Sequence, residues 1–235
     1  MAAKRKQPNA PASMPKWSKL ILGILLAPVC VAGATTLQAV ANAAGDVLNV
    51  WVPFLCGCGC WMVVFLFLPQ STWLYVLGHE LTHVVWSWGF GGKLKKFSAS
   101  SRGGYVVVTK SNSLVALAPY FFPIYAMIVV LVFAPMNAFW PQPKLVPVFH
   151  LLLGVAYAFH VTWTWETVRT DQSDITSQGY VFSAVIILLG NLLILVFGIA
   201  LLAGKPDGME VATTWGNEIG RSYVWIWKQL TALIQ

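Results

Sequence analysis

The feature that most limits how this chain can fold is a series of long apolar stretches joined by short polar connections. Six such stretches occur, at residues 17–44, 48–68, 72–90, 114–133, 146–165 and 181–202. About 20 apolar residues in an α-helix cross the hydrocarbon core of a bilayer. Inside lipid, helices and closed barrels are the structures that satisfy their own backbone hydrogen bonds. The sequence therefore predicts an all-α polytopic membrane protein with about six transmembrane helices.

The composition supports an integral, multi-pass location in the lipid bilayer. The chain is 57% hydrophobic and only 10% charged, which excludes an ordinary soluble domain of 235 residues. A formal net charge of +7 could indicate a nucleic-acid partner. In a membrane protein, basic residues more commonly report orientation and contact with anionic headgroups. We therefore expect no nucleic-acid partner.

Changes in composition divide the chain into four parts. Residues 1–16 are basic and proline-rich, which predicts a disordered tail. Residues 17–70 contain two accessory transmembrane helices, and residues 71–203 form the membrane core with the polar motifs. In residues 204–235, Trp and Tyr alternate with charged residues, which predicts an amphipathic helix lying in the membrane interface.

The longest polar insertion in the membrane core is residues 91–113. Two β-prone runs flank a glycine-containing turn there, which favours a small β-hairpin directly after the 72–90 helix. The alternative is a simple charged loop. The insertion carries five basic residues, Lys93, Lys95, Lys96, Arg102 and Lys110.

The distribution of basic residues does not fix the orientation when six crossings are assumed. With a cytoplasmic N-terminus, nine Lys and Arg residues fall on the cytoplasmic side and six on the other. The five basic residues of the insertion oppose the positive-inside rule. Either the balance is weak, or the insertion folds back into the membrane and does not count as an ordinary loop.

A cysteine cluster lies in the second apolar stretch, where Cys56, Cys58 and Cys60 alternate with glycines. Cys56 and Cys60 would share a helix face, which is compatible with a metal site. The alternative, which we favour, is a strip of small residues that lets another helix approach closely. All four cysteines lie in apolar segments, so a disulfide framework is not expected.

The chemically informative motif is His79-Glu80-Leu81-Thr82-His83, within the third apolar stretch. On a helix, positions i and i+4 share one face, so the two imidazoles can converge on one metal ion. Glu80 can then act as general base toward a metal-activated water. Titratable groups are costly in an apolar helix unless they have a function. The alternative is a set of packed histidines and a glutamate that form hydrogen bonds between helices.

A catalytic zinc site generally takes three protein ligands, so a third one is required. The spacing alone does not identify it. The candidates are few, and the two aspartates could equally cap the sixth helix. The candidates are His150, His160, Glu166, Asp171 and Asp174.

The chain resembles the site-2 protease-like group of intramembrane zinc metalloproteases over roughly residues 72–202. The resemblance rests on the His79–His83 motif in a membrane helix, the glycine-rich insertion, Ala118-Pro119 at the start of a later span, and an acid beside a downstream helix. The sequence lacks the Asn-Pro…Asp-Gly pattern that usually surrounds that acid. Gln172-Ser173-Asp174-Ile175 stands in its place.

This resemblance implies a function and a set of site residues. It implies a zinc metalloendopeptidase that hydrolyses transmembrane protein or peptide substrates. Zinc would be held by His79, His83 and Asp174, with Asp171 as the substitute third ligand. Glu80 would be the general base, and His160 would act beside the metal or as an electrophilic group, or simply pack. Asn191 could bind substrate backbone, although a hydrogen bond between helices is the expected role.

Two other function classes remain open. The first is a non-catalytic membrane protein that binds a metal or a client protein, for which Glu80 would be unnecessary. The second is a small transporter, because intramembrane ionisable residues can line an ion path. The sequence shows no inverted repeat, and its ionisable groups cluster at one motif and one loop, which favours the enzyme.

Overall fold

A computed structural model of the chain describes residues 14–45, 47–70, 72–203 and 206–233. Residues 1–13, on which most of the predicted disordered tail falls, lie outside the described residues. The described part contains nine α-helices and one two-stranded sheet, which confirms an all-α architecture with a small hairpin. The elements are α1 Lys16–Ala43, α2 Val52–Phe67, α3 Thr72–Gly89, β1 Leu94–Ser100, β2 Gly103–Val108, α4 Ser113–Leu117, α5 Ile124–Phe139, α6 Val146–Val168, α7 Ser173–Gln178, α8 Tyr180–Ala203 and α9 Gly208–Ala232.

Helices α1 and α8 pack side by side and run in the same direction. Near their starts, a Cβ added to Gly23 would lie 3.1 Å from the Phe182 Cα atom. Two to three turns further along both helices, a Cβ on Gly33 would lie 3.2 Å from the Leu192 side chain. Small residues on α1 therefore allow close approach, as expected for helices packed in lipid.

Helix α9 runs antiparallel to α1. The indole of Trp215 donates a hydrogen bond to the Val29 carbonyl at 3.2 Å, whereas the later Tyr223 hydroxyl donates to the earlier Leu25 carbonyl. Trp215 is buried together with Cys30 and Val196 in a core cluster of α1, α8 and α9. The interfacial position of this helix in a membrane stays a prediction.

Helices α2 and α6 also run in the same direction, and the cysteine-containing strip of α2 forms their contact. A Cβ on Gly57 would lie 2.0 Å from the Leu151 carbonyl oxygen, and the Cys58 thiol contacts the Gly154 carbonyl at 3.4 Å. Further along, the indole of Trp61 donates to Thr162 at 2.9 Å. Gly57 and Cys58 thus confirm the interpretation of a small-residue packing surface for their part of the strip, whereas Cys56 and Cys60 are exposed.

The fourth apolar stretch is broken in the middle. Residues Ser113–Tyr120 and Ile124–Phe139 form two helical pieces bent by 82°. Pro119 and Pro123 flank the break. Proline has no backbone N–H donor and interrupts a helix, which explains the bend. Asn191 of α8 donates to the Tyr120 carbonyl at 3.2 Å, so its expected role as a hydrogen bond between elements is confirmed.

Helix α5 runs antiparallel to α6. The ring of Tyr125, near the start of α5, contacts Phe159 of α6 at a centroid distance of 5.3 Å. Further along α5, Phe133 stacks on Phe149, near the start of α6, at 4.1 Å.

Helix α3 carries the histidine motif and packs against the hairpin that follows it. The two strands pair antiparallel, with Ser100 opposite Gly103 at the turn and Leu94 opposite Val108 at the base. The turn lies beside the start of α3, where the Thr72 hydroxyl donates to the Ser101 carbonyl at 2.7 Å. The predicted hairpin is therefore confirmed, and it lies along the length of α3.

Four helices are long and apolar enough to cross a membrane, and a fifth crossing is obtained if the bent pair counts as one span. These helices are 16–43, 48–67, 143–168 and 180–203. This supports a membrane location, whereas the predicted number of six crossings stays a prediction. Helix α3 contains His79, Glu80 and His83, and it is not among the candidate spans of the described residues.

Candidate metal centre

Helix α3 places the two histidines of the motif one turn apart on one face. The imidazole centroids of His79 and His83 are 5.0 Å apart, and the rings are nearly perpendicular. This follows directly from the i, i+4 spacing in a regular helix. His83 and Glu80 are buried, so the polar face of α3 is directed into the protein.

The third group of the centre comes from α7, the six-residue helix between α6 and α8. The Asp174 carboxylate oxygen Oδ2 lies 3.5 Å from Nε2 of His79 and 3.4 Å from Nε2 of His83. The three possible ligand atoms lie within 4.8 Å of one another. Among the described residues, these three form the one group of His, Cys, Asp or Glu side chains with such a spacing.

The second nitrogen of each imidazole is fixed by a hydrogen-bond partner. Nδ1 of His83 lies 2.8 Å from the Val115 carbonyl of α4, to which it can only donate. This contact orients the ring and leaves Nε2 of His83 as the nitrogen that faces Asp174. Nδ1 of His79 lies 3.2 Å from the Tyr75 hydroxyl one turn earlier. Metal-binding histidines commonly have their other ring nitrogen held in this way.

The Asp174 carboxylate is held as an anion by its neighbours. Burial alone would raise its pKa, but the hydrogen bonds from His79 and His83 and their charge outweigh burial and hold the pKa well below its usual range. The Tyr120 hydroxyl also donates to Oδ2 of Asp174, at 3.3 Å. An ionised carboxylate with a fixed orientation is the form that binds a divalent cation.

A partly buried hydrogen-bond network fixes α7 against the rest of the protein. The Gln178 side-chain carbonyl accepts hydrogen bonds from the ammonium of Lys19 on α1 and, at 2.7 Å, from the hydroxyl of Ser113. The Lys19 side chain is only 3% exposed, so this partner is needed to compensate its burial. The Ser183 hydroxyl of α8 donates to the Ile175 carbonyl at 3.2 Å. Residues from α1, α4 and α8 thus position the helix that carries Asp174.

The three groups face a polar cavity of about 330 Å³ between α3, β2, α4 and α7. Glu80 lines the same cavity, beside the histidines and Asp174. Strand β2 approaches it closely, because a Cβ on Gly104 would lie 2.8 Å from Cγ of Glu80. Gly104 therefore lets the hairpin form one wall of the cavity.

The other predicted site residues lie apart from this group. Asp171 is exposed, and neither it nor Asp174 caps α7, whose N-cap is Gln172 without a side-chain capping bond. Glu166 pairs with Arg169 at 3.7 Å. His150 contacts the Val146 carbonyl at 2.9 Å and lines an apolar cavity. None of them supplies a ligand atom to the group.

His160, predicted to act beside the metal, lines a separate small cavity that His79 also lines. Tyr75, Thr82 and Phe159 also line this cavity. His160 is buried, and its Nε2 atom has no hydrogen-bond partner in the described part of the chain. The structure thus places His160 near His79 but outside the cavity that contains Glu80 and Asp174.

Several residues that shape the site had no signal in the sequence analysis. Tyr75 and Tyr120 contact His79 and Asp174, Gly104 permits the hairpin contact, and Lys19 binds Gln178. Lys19 is the one that sequence reasoning could have singled out, since a lysine inside an apolar helix indicates a specific partner. The tyrosines resemble the many aromatic residues of membrane helices.

The donor set is compatible with a divalent metal ion such as zinc. Two imidazole nitrogens and one carboxylate oxygen leave a fourth position for water or substrate, which is typical of catalytic rather than structural zinc sites. Softer metals favour thiolate ligands, and the described cysteines lie outside the group.

Comparison of the chain with protein-family models, with curated proteins and with solved structures finds no match.

Proposed function

We propose that this chain is an intramembrane zinc metalloprotease that hydrolyses peptide bonds of membrane-protein substrates. The observation that carries the proposal is the convergence of His79, His83 and Asp174, with Glu80 lining the same cavity. Two histidines, an acid and a neighbouring glutamate are the groups that metal-assisted hydrolysis requires. The resemblance of the motif to the site-2 protease-like group supports the same activity.

Each residue has a distinct role in this proposal. His79, His83 and Asp174 would hold a zinc ion, which would supply Lewis acidity toward water and the scissile carbonyl. The Glu80 carboxylate takes a proton from the attacking water and delivers it to the leaving amine nitrogen. Val115, Tyr75 and Tyr120 keep the ligand side chains in place, which preserves the geometry between substrates.

The hairpin supplies a binding surface for the substrate backbone. A transmembrane substrate hides its carbonyl groups in helical hydrogen bonds, so it has to unwind before hydrolysis. Strand β2 lines the cavity and pairs with β1 alone in the described sheet. Its other edge can therefore bind an unwound segment as an added strand. Gly104 allows that segment to approach Glu80 closely.

The test separates metal binding from catalysis. We expect Glu80→Gln to abolish cleavage of a library of fluorogenic transmembrane peptides while zinc content stays at one ion per chain. His79→Ala should lose the zinc itself, because one of its three ligands is removed. Zinc is measured by elemental analysis of protein purified in detergent, and cleavage by fluorescence.

The outcomes also distinguish the non-catalytic alternative. If wild-type protein binds zinc but cleaves no peptide of the library, the chain acts as a metal- or client-binding scaffold. If the Glu80→Gln variant cleaves as fast as wild type, Glu80 is not the general base. The intact Glu80 supports the enzyme, because a scaffold has no need of a carboxylate at this position.

A further inference from the structure

The directions of the apolar helices determine how often the chain crosses the membrane. Only residues 44–47 separate α1 from the apolar helix 48–67, and four residues span about 14 Å, less than a ~30 Å hydrocarbon core. Therefore α2 begins at the face where α1 ends and runs in the opposite direction. Because α8 is parallel to α1 and α6 is parallel to α2, α6 and α8 are also antiparallel.

Helix α5 runs antiparallel to α6 and therefore also opposite to α2. Its contacts with α6, Tyr125 to Phe159 and Phe133 to Phe149, fix this direction. Because α2 and α5 cross in opposite directions, α5 has to begin at the face where α2 ended. The intervening residues 68–123 therefore make no net crossing.

Two contacts keep the segment of α3 and the hairpin at that face. The turn of the hairpin lies at Thr72, just after the end of α2. Ser113, just after the hairpin, contacts Gln178 in the connection between α6 and α8, which Lys19 at the start of α1 also contacts. Residues 72–112 therefore begin and end at the membrane face where α1 and α8 begin. We call this face the N-terminal face.

With five crossings, the basic residues separate by side. Setting aside the two on α9, Arg221 and Lys228, nine Lys and Arg residues remain in the described part of the chain. Lys144 belongs to the opposite face. The other eight belong to the N-terminal face: Lys16, Lys19, Lys93, Lys95, Lys96, Arg102, Lys110 and Arg169. By the positive-inside rule, the N-terminal face is cytoplasmic, and the basic residues of the insertion obey the rule.

The hairpin presents an exposed cationic surface at this face. Its four cations, Lys93, Lys95, Lys96 and Arg102, are all exposed. None of the ion pairs in the described residues involves them. The chain contains no Asp or Glu between Glu80 and Glu166, so the hairpin itself carries no carboxylate.

Apolar side chains accompany these cations. Leu94 is 41% exposed and Phe97 is 38% exposed, on the same strand as Lys95 and Lys96. Cations next to exposed apolar side chains are typical of surfaces that bind at a lipid interface, where headgroups are anionic and acyl chains lie just below.

We propose that the β1–β2 hairpin is a docking surface for anionic phospholipid headgroups of the cytoplasmic leaflet. Its cations bind the headgroup phosphates and carboxylates, and Leu94 and Phe97 enter the interface. The cytoplasmic leaflet is the anionic one, which matches the charge of the hairpin. Docking holds β2 beside the metal centre. The docking surface does not depend on the proposed protease activity.

The first experiment tests the side of the membrane. Ser101 at the turn is replaced by Cys in a variant whose two exposed cysteines have been replaced by alanine, Cys56→Ala and Cys60→Ala. We expect a membrane-impermeant maleimide to label Ser101→Cys in inside-out vesicles only and Lys144→Cys in right-side-out vesicles only. Labelling of both positions from the same side would overturn the five-crossing arrangement and with it the proposal.

The second experiment tests the lipid. Full-length protein is placed in nanodiscs of phosphatidylcholine, with or without 30% phosphatidylserine, and backbone hydrogen exchange of residues 93–103 is measured. We expect exchange about tenfold slower with phosphatidylserine, and loss of this difference in the combined variant Lys93→Gln, Lys95→Gln, Lys96→Gln and Arg102→Gln. Lys144→Gln on the opposite face is the matched control and should retain it.

Thermal unfolding of the combined variant in detergent shows whether it has folded. Equal exchange in the two kinds of nanodisc would overturn the proposal. Slower exchange with phosphatidylserine that persists in the folded combined variant would also overturn it. Protection by soluble polyglutamate but not by phosphatidylserine would assign the surface to an acidic protein partner instead, which also contradicts it.

Discussion

At the scale of single residues, the centre depends on groups that touch the ligands rather than on the ligands alone. Tyr120 is fully buried, and its hydroxyl donates to the Asp174 oxygen that faces both imidazoles. Such a contact orients the carboxylate before a metal binds. Removing it should leave the three ligands present but less well ordered.

We therefore expect Tyr120→Phe to weaken zinc binding about tenfold, a size typical of contacts that orient metal ligands. The ring is retained, so packing should change little. The zinc dissociation constant is measured by competition with a chromophoric chelator. Tyr180→Phe, at a position 65% exposed, is the control and should bind zinc like the wild type. Equal affinities for both variants would show that the hydroxyl does not order Asp174.

The sequence identifies the two histidine ligands of the centre much better than it identifies the carboxylate ligand. The spacing of His79 and His83 is local, so a helix is enough to bring them together. Asp174 lies 91 residues beyond His83 in the sequence, and Asp171 is only three residues away from Asp174. Choosing between these two aspartates depends on where α7 packs, which the contacts of Gln178 determine.

At the scale of helices and strands, backbone contacts at small residues determine which helices pair. Gly57 of α2 approaches the α6 backbone so closely that a Cβ would lie 2.0 Å from the Leu151 carbonyl oxygen. Gly59, half a turn away on the same helix, has no atom within 4 Å of the corresponding position. The two glycines therefore allow a matched comparison.

We expect Gly57→Ala to destabilise the protein by about 2 kcal/mol, because the added methyl group forces α2 and α6 apart. Gly59→Ala should be neutral or slightly stabilising, because alanine favours the helix and meets no neighbour. Thermal unfolding in detergent measures both. Similar unfolding temperatures for the two variants would contradict the close α2–α6 contact.

Helix positions follow well from apolar length, whereas the role of α3 does not. All six predicted stretches contain helices, and the hairpin was expected from its β-prone runs. The length of α3 resembles that of a membrane span, but its three titratable groups and its contacts with the hairpin distinguish it from the other helices. Length alone cannot separate a crossing helix from one that returns to the same face.

At the scale of the whole molecule, distant parts of the chain meet at the metal centre. Helix α3 provides two ligands, α7 provides the third, and Lys19 of α1 contacts the far end of α7. The first helix was predicted to be accessory to the core, but it contacts the segment that carries Asp174. Zinc affinity therefore reports on the assembled fold as well as on the local motif.

The most direct test of the centre is the zinc content of the full-length purified protein and of two aspartate variants. We expect one zinc ion per chain in the wild type and in Asp171→Ala, whose exposed side chain lies outside the ligand group. Asp174→Ala should contain almost none. A wild-type protein without stoichiometric zinc, or an Asp174→Ala variant that retains it fully, would contradict the assignment of His79, His83 and Asp174 as a metal centre.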